Sequence, residues 1–227
     1  MRNTTVLGRA EEWFIPWQKD LSDQDLGQAL RGIRQRATGE NGVCAIKVMA
    51  NQLHGIENNL KHVIKPPPGP QFFRFFKVFE NAIWVWLRRD DIVAQAVSRV
   101  MAQQTGINHA THGEKHFAGK LMTGYRDDYN AATRYDYDGI LRECTAITLE
   151  NLVWRDFFKN FKISPITFLY EEIIADPSLG HLDIMASAAG VDGPWTKEHR
   201  KLVKIGNSRN QSFIDMFYRD SAARRFH

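Results

Sequence analysis

The sequence predicts an α/β fold, a parallel sheet with helices on both faces. Three observations carry that prediction. Short, mainly apolar runs, "GVCAIKVM" (42–49), "AIWVWLRR" (82–89) and "ITFLY" (166–170), read as strands buried on both sides. Longer segments with apolar residues at helical spacing stand between them. Glycine and proline punctuate the changes, most strongly in "IKPPPGP" (64–70), a stiff turn that cannot lie inside a helix.

In chain order, "GRAEEWFIPW" opens with a glycine, two glutamates and a cluster of aromatics. Residues 22–37, "SDQDLGQALRGIRQRA", read as a helix capped by Ser22 or Asp23. The strand at 42–49 is followed by a short helix over "NQLHGIENNLKHV". The strand at 82–89 leads directly into a helix from Asp91 to about Gln104. Residues 105–137 are rich in Gly, Thr, Asn, His, Asp and Tyr and read as a long loop with a short helix. Asp138 to Asn160 form a long amphipathic helix, with Ile140, Leu141, Ile147, Leu152, Phe157 and Phe158 at helical spacing. A further helix begins at Asp176-Pro177 and ends at Gly190. The tail, 197–227, is basic and polar with a last short helix.

The bulk properties bound the function. A chain of 227 residues fits one domain, and 43% hydrophobic residues suffice for a sizeable core. A formal charge of +4 and a pI near 9.1 suit a phosphorylated ligand, and equally a nucleic acid or an anionic surface. The basic residues are dispersed and form no stripe with interleaved aromatics, so no nucleic-acid partner is expected. Cys44 and Cys144 lie far apart in no CxxC pattern, which fits a reducing compartment. No apolar run reaches the roughly 18–20 residues of a membrane span. "MRNTTVLGRAEEWF" holds no apolar signal-peptide segment, so a cytoplasmic protein is expected.

Arg89 stands at the carboxyl end of a strand, where α/β sheets bind ligands. On a helical wheel from Asp91, Gln95, Ser98 and Ala102 share one face, while positions 93, 96, 97 and 100 lie opposite. An arginine fork and a serine hydroxyl suit a phosphate. The same residues are also compatible with an ordinary solvated helix face. His109, His112 and His116 fall at i, i+3 and i+7, but "NHATHGEKH" is loop-like, and no metal site is expected. "GEKHFAGK" has five residues between its glycines and leucine after its lysine, so it is not a phosphate-binding Walker loop.

The pattern R-x-D-x-x-x-Q-A-V-S, Arg89 to Ser98, resembles the 3′-phosphate-binding motif of sulfotransferases. More narrowly, it resembles the bacterial carbohydrate sulfotransferases typified by trehalose 2-sulfotransferase. "GRAEEWF" (8–14) is similar to that family's G-x-P-x-E-F-F, with Ala10 where proline is usual. "VCAIKVM" resembles its G-x-K-L-M strand, and "YDYDGI" with Trp154–Phe158 resembles its long helix. "YEEIIADP" (170–177) is similar to Y-E-x-L-x-x-D-P. The likeness covers nearly the whole chain, in the family's order.

The resemblance implies a P-loop-NTPase-like sulfotransferase fold in one domain over 1–227. It implies 3′-phosphoadenosine-5′-phosphosulfate (PAPS) as sulfuryl donor, no metal, a homodimer, and a carbohydrate acceptor of trehalose-, glycolipid- or lipopolysaccharide-like kind. Arg89 and Ser98 would hold the 3′-phosphate, with Asp91 and Gln95 in support, and Lys204 and Arg209 of "KIGNSRN" would close over it. Glu12 takes the place of the general base. Glu11, Trp13, Phe14 and Lys47 would meet the acceptor, with Trp17 near them; core packing is the alternative for the aromatics. The family's first strand, phosphosulfate loop and helix would precede "GRAEEWF" and need on the order of 25 residues. "MRNTTVLGR" does not contain them, so that unit is expected to be absent and the chain weak or inactive. The alternative function is a non-catalytic nucleotide- or sugar-binding remnant of the family.

Overall fold

The computed structural model describes residues 5–65, 69–111, 120–123, 126, 128–193, 202–203 and 205–224. In chain order the helices are α1 (Leu26–Ala37), α2 (Leu53–Leu60), α3 (Phe73–Val78), α4 (Ile92–Thr105), α5 (Tyr137–Asn160), α6 (Tyr170–Ala175), α7 (Gly180–Ala189) and α8 (Ser208–Arg224). The strands are β1 (Val85–Arg88), β2 (Ile107–Thr111), β3 (Lys120–Thr123), β4 (Ile166–Leu169) and β5 (Leu202–Val203). Contacts divide the chain into two units, Met1–Arg88 with Glu150–His199, and Arg89–Leu149 with Arg200–His227.

In the first unit β1 and β4 pair in parallel, from Val85 opposite Ile166 to Arg88 opposite Leu169. Strand alternation sends Trp84 and Trp86 to one face. There they meet Phe14, Trp17, Leu53, Ile56, Phe75 and Phe157, all buried. Val85 and Phe168 point the other way, onto Leu7, Leu179, Leu182, Met185 and Ala186. Helices therefore cover both faces of this parallel pair, which is the α/β arrangement the apolar runs predicted.

The segment 42–49 departs from the prediction. It forms no ladder, only an antiparallel bridge from Cys44 to Thr38 and a parallel one from Ile46 to Glu11. Its amides reach isolated carbonyls: Ala45 N–H donates to Ala37 at 3.2 Å and Lys47 N–H to Glu11 at 3.0 Å. Two neighbours shared by one short segment leave no continuous row of partners. The approach of residues 8–12 is close. Gly8 has φ +75°, and a Cβ there would lie 2.6 Å from the Ala45 nitrogen and 2.8 Å from the Val43 oxygen.

Asn59 joins the segment after Phe14 to α2. Buried at 2% exposure, it donates to the Trp17, Lys19 and Gly55 carbonyls and accepts from Leu21 N–H at 2.8 Å. A Cβ on Gly55 would meet the Trp17 oxygen at 2.5 Å, so α2 packs there on bare backbone.

Helix ends follow cap chemistry more than composition. α1 begins at Leu26, and its N-cap is Asp25 instead of Ser22 or Asp23; the Asp25 carboxylate accepts from Gln28 N–H at 2.9 Å. α7 begins four residues after Asp176. The Asp176 carboxylate instead holds the preceding turn, accepting from the Ser178 and Gly180 amides. α3 was not expected; it starts after Phe72 at φ +65° and draws its cap from Glu57, whose carboxylate accepts from the Arg74 and Phe75 amides.

In the second unit α4 packs on α8. Ala96, Val97, Val100 and Met101 are buried with Ile140, Ile147, Phe213 and Phe217. Where a loop with a short helix was expected, over 105–137, β2 runs parallel to β3 and antiparallel to β5. β-branched Ile107, Thr111 and Thr123 favour strand, but the polar neighbours hide any alternation. The last helix, α8, has 17 residues and is not short. Among the described residues no helix is long and apolar enough to cross a membrane.

Gly8→Ala should lower the unfolding free energy by about 2 kcal/mol or more, from the left-handed backbone and the Val43–Ala45 clash together. Urea denaturation measures it. A loss below about 0.5 kcal/mol would show that residues 8 and 45 do not approach as described.

Candidate functional site

The bridge between Glu11 and Ile46 puts Glu12 and Lys47 side by side, each one residue further along its segment. Lys47 Nζ lies 2.8 Å from Glu12 Oε1. Gln52, in the tight turn before α2, donates through Nε2 to Glu12 Oε2 at 2.9 Å. Both carboxylate oxygens are thus held, yet the Glu12 side chain keeps 30% exposure. Exposed ion pairs of this kind contribute at most about 1 kcal/mol to stability. The arrangement therefore matters more for aim than for folding. A carboxylate fixed in direction and open to solvent has the geometry that a general base requires.

The aromatics around it divide. Trp13 is half-buried; its Nε1 donates to the Arg9 carbonyl at 2.9 Å, and the Arg36 guanidinium lies 5.4 Å from its ring. Phe14 is fully buried, edge-on to Trp17 at 5.2 Å and to Phe79 at 6.0 Å. Trp17 is buried as well. Phe14 was expected to meet the acceptor; it is a core residue instead, because the turn after Glu12 carries it under α2. Glu11 is half-buried, and its carbonyl accepts from the Lys47 and Trp13 amides.

Arg89 follows the last residue of β1 and precedes α4. Asp91 caps that helix, its Oδ1 accepting from Ala94 N–H at 2.8 Å. Gln95, Ser98 and Ala102 are half-buried, while Ala96, Val97 and Val100 are buried, so the helix divides into the two faces read from the wheel. Val93 packs against the same cluster as Val97. Arg89 is half-buried. An arginine before the first turn and a serine two turns on are both residue types that can donate to a phosphate.

The tail behaves differently from expectation. Lys204 lies outside the described residues. The Arg209 guanidinium is turned inward: Nε donates to Thr133 Oγ1 at 2.9 Å, Nη2 donates to the Thr133 carbonyl, and the group lies 5.3 Å from the Phe213 ring. In this structure it braces Thr133 instead of presenting itself to a phosphate. Beside it, Asn130 and Asn207 exchange amide hydrogen bonds at 3.0 and 3.1 Å. Asn207 Oδ1 also caps α8 by accepting from Arg209 N–H. Asn130 is 1% exposed and Thr133 3%, while Asn207 and Arg209 are half-buried. The "GNS" before α8 was a legible cap signal for Asn207, whereas Asn130, Thr133 and Gln52 enter only through tertiary contact.

His109 lies in β2, and His112 and His116 lie outside the described residues. Among the described residues no three His, Cys, Asp or Glu side chains come together as metal ligands would.

The model of a protein family described as Stf0 sulphotransferase matches residues 5–220. No curated protein gives a significant match.

Asn130→Ala should lower the unfolding free energy by about 1–3 kcal/mol, since it removes a buried amide that exchanges hydrogen bonds with Asn207. A urea midpoint unchanged from the parent chain would show that the amide pair contributes nothing.

Proposed function

Because the chain belongs to the Stf0 sulphotransferase family, we propose that it transfers a sulfuryl group from PAPS to a carbohydrate hydroxyl. The acceptor in this reading is a trehalose-, glycolipid- or lipopolysaccharide-like sugar, and the fold is of the P-loop-NTPase-like sulfotransferase kind. The acceptor oxygen bonds to sulfur, the bond from sulfur to the phosphate oxygen breaks, and its electron pair leaves on 3′-phosphoadenosine 5′-phosphate. The hydroxyl proton goes to Glu12.

The observation that carries the reading is the Glu12 carboxylate, held on both oxygens and still open to solvent. An alcohol is a weak nucleophile, and a base aimed in advance contributes on the order of 10²–10⁴ in rate. Trp13, half-buried beside it, offers a ring for the C–H face of a sugar. The donor side rests on Arg89 and Ser98, with Asp91 setting the first turn of α4. Arginine's fork gives two parallel bonds to a phosphate, which a lysine would not reproduce.

Calorimetric titration with 3′-phosphoadenosine 5′-phosphate tests the donor side. The parent chain should bind saturably at one site. Arg89→Ala should bind at least about tenfold more weakly, as expected when charge-assisted bonds of about 1.5–3 kcal/mol are lost. Ser98→Ala should lose less. Adenosine 5′-phosphate, which lacks the 3′-phosphate, should bind the two chains alike. No binding by the folded parent chain, or equal affinity in Arg89→Ala, would contradict the reading.

A further inference from the structure

Resting on Glu12 as the base, we infer that Gln52 is its positioning residue, and that Gln52 leaves Oε1 as the oxygen that receives the acceptor proton. Resonance makes the two oxygens of a carboxylate equivalent, and only the surroundings separate them. Here the surroundings differ sharply.

Oε2 faces Gln52, which is 1% exposed. The Gln52 amide is fixed in orientation: its own oxygen accepts from Met49 N–H at 3.2 Å, so its NH₂ must face Glu12. Its main-chain N–H donates to the Met49 carbonyl at 2.9 Å, which closes the turn that carries it. α2 begins at the next residue, Leu53, which is fully buried. The donor to Oε2 is therefore a buried side chain held in one orientation by its own turn. A proton arriving at Oε2 would meet an N–H that cannot accept it, and would break the hydrogen bond of a buried donor.

Oε1 faces Lys47, whose side chain is 49% exposed. Lysine is a point charge on a flexible stem and exchanges partners with water easily. A proton arriving at Oε1 displaces only that contact. Lys47 is the charged group hydrogen-bonded to Glu12 among the described residues, and Glu11 is the charged neighbour along the chain. The base thus has one fixed side and one exchangeable side, and the acceptor hydroxyl approaches the exchangeable one.

The composition of the clamp fits this division. Glutamine supplies a neutral donor, which aims a carboxylate without competing for its proton. Two cations on both oxygens would hold the carboxylate too firmly to act as a base.

Two variants test the inference, with a readout that needs no catalysis. Gln52→Glu keeps an acceptor for Met49 N–H and replaces the donation to Glu12 with a second acceptor; Gln52→Leu removes both. The chain is labelled with ¹⁵N at the glutamine side-chain amides, and the Gln52 signals are identified by their loss in Gln52→Leu. One Gln52 amide proton should be slow to exchange with solvent in the parent chain and should lose that protection in Glu12→Ala, where its acceptor is gone. In turnover, both Gln52 variants should lose kcat about tenfold or more, with KM for PAPS unchanged. A folded Glu12→Ala chain whose Gln52 amide signals equal those of the parent overturns the inference. The amide signals are independent of sulfuryl transfer: absent turnover in the parent chain would sink the proposed function and leave the amide signals to decide the clamp.

Discussion

The first unit depends on one close backbone approach, that of residues 8–12 to residues 37–47. Arg9 N–H donates to the Ala37 carbonyl at 2.9 Å, and Lys47 N–H to Glu11 at 3.0 Å. Only glycine fits at position 8, where both the left-handed φ and the nearby Val43 and Ala45 backbone exclude a side chain. From that approach the rest follows in sequence order. Glu12 emerges beside Lys47, Trp13 turns half outward, and Phe14 goes fully under α2. Asn59 then ties the Trp17–Leu21 stretch to α2, which positions Gln52 at the helix start against Glu12. A weak ion pair becomes an aimed one because backbone and buried amides fix where its partners can be.

The aromatic core provides the stiffness this requires. Phe75 sits within ring contact of Phe79, Trp84, Trp154 and Phe157, at centroid distances from 5.1 to 6.4 Å. Such tilted and edge-on pairs contribute about 0.5–1.5 kcal/mol each beyond burial. They also join α3, β1 and the end of α5 into one packed layer beneath α2. In the proposed reading the Glu12 carboxylate, on the rim of such a layer, inherits the rigidity that orientation in catalysis demands.

Much of this was legible in the sequence, and the exceptions have physical causes. β1, β4, α4 and α5 were readable because their patterns are strong: unbroken apolar runs for buried parallel strands, and apolar residues at helical spacing for the helices. Asp91 was readable as a helix start, and Ala96, Val97 and Val100 as its buried face. Residues 42–49 looked like a strand because β propensity reports an apolar segment that fits a pleated surface, and says nothing about whether partners continue on both sides. β2 and β3 were hidden by polar neighbours, and α3 by its short length and by a cap borrowed from Glu57, distant in sequence. Phe14 and Trp13 are adjacent aromatics that no pattern separates. Arg209 carried the right charge for a phosphate, but its engagement with Thr133 depends on a contact 76 residues away. Gln52 left no sequence signal, since its role exists only once the turn before α2 meets Glu12.

The claim that Glu12 is the base of a sulfuryl transfer is tested most directly by single-turnover transfer of ³⁵S from labelled PAPS. The enzyme would be in excess, with a panel of disaccharide, glycolipid and lipopolysaccharide acceptors, using the parent chain and Glu12→Gln in parallel. The expected result is acceptor labelling by the parent chain and a rate lower by about 10²-fold or more in Glu12→Gln, with 3′-phosphoadenosine 5′-phosphate bound equally by both. Equal labelling rates in the two chains, or no labelling of any acceptor by a parent chain that binds the nucleotide, would contradict it.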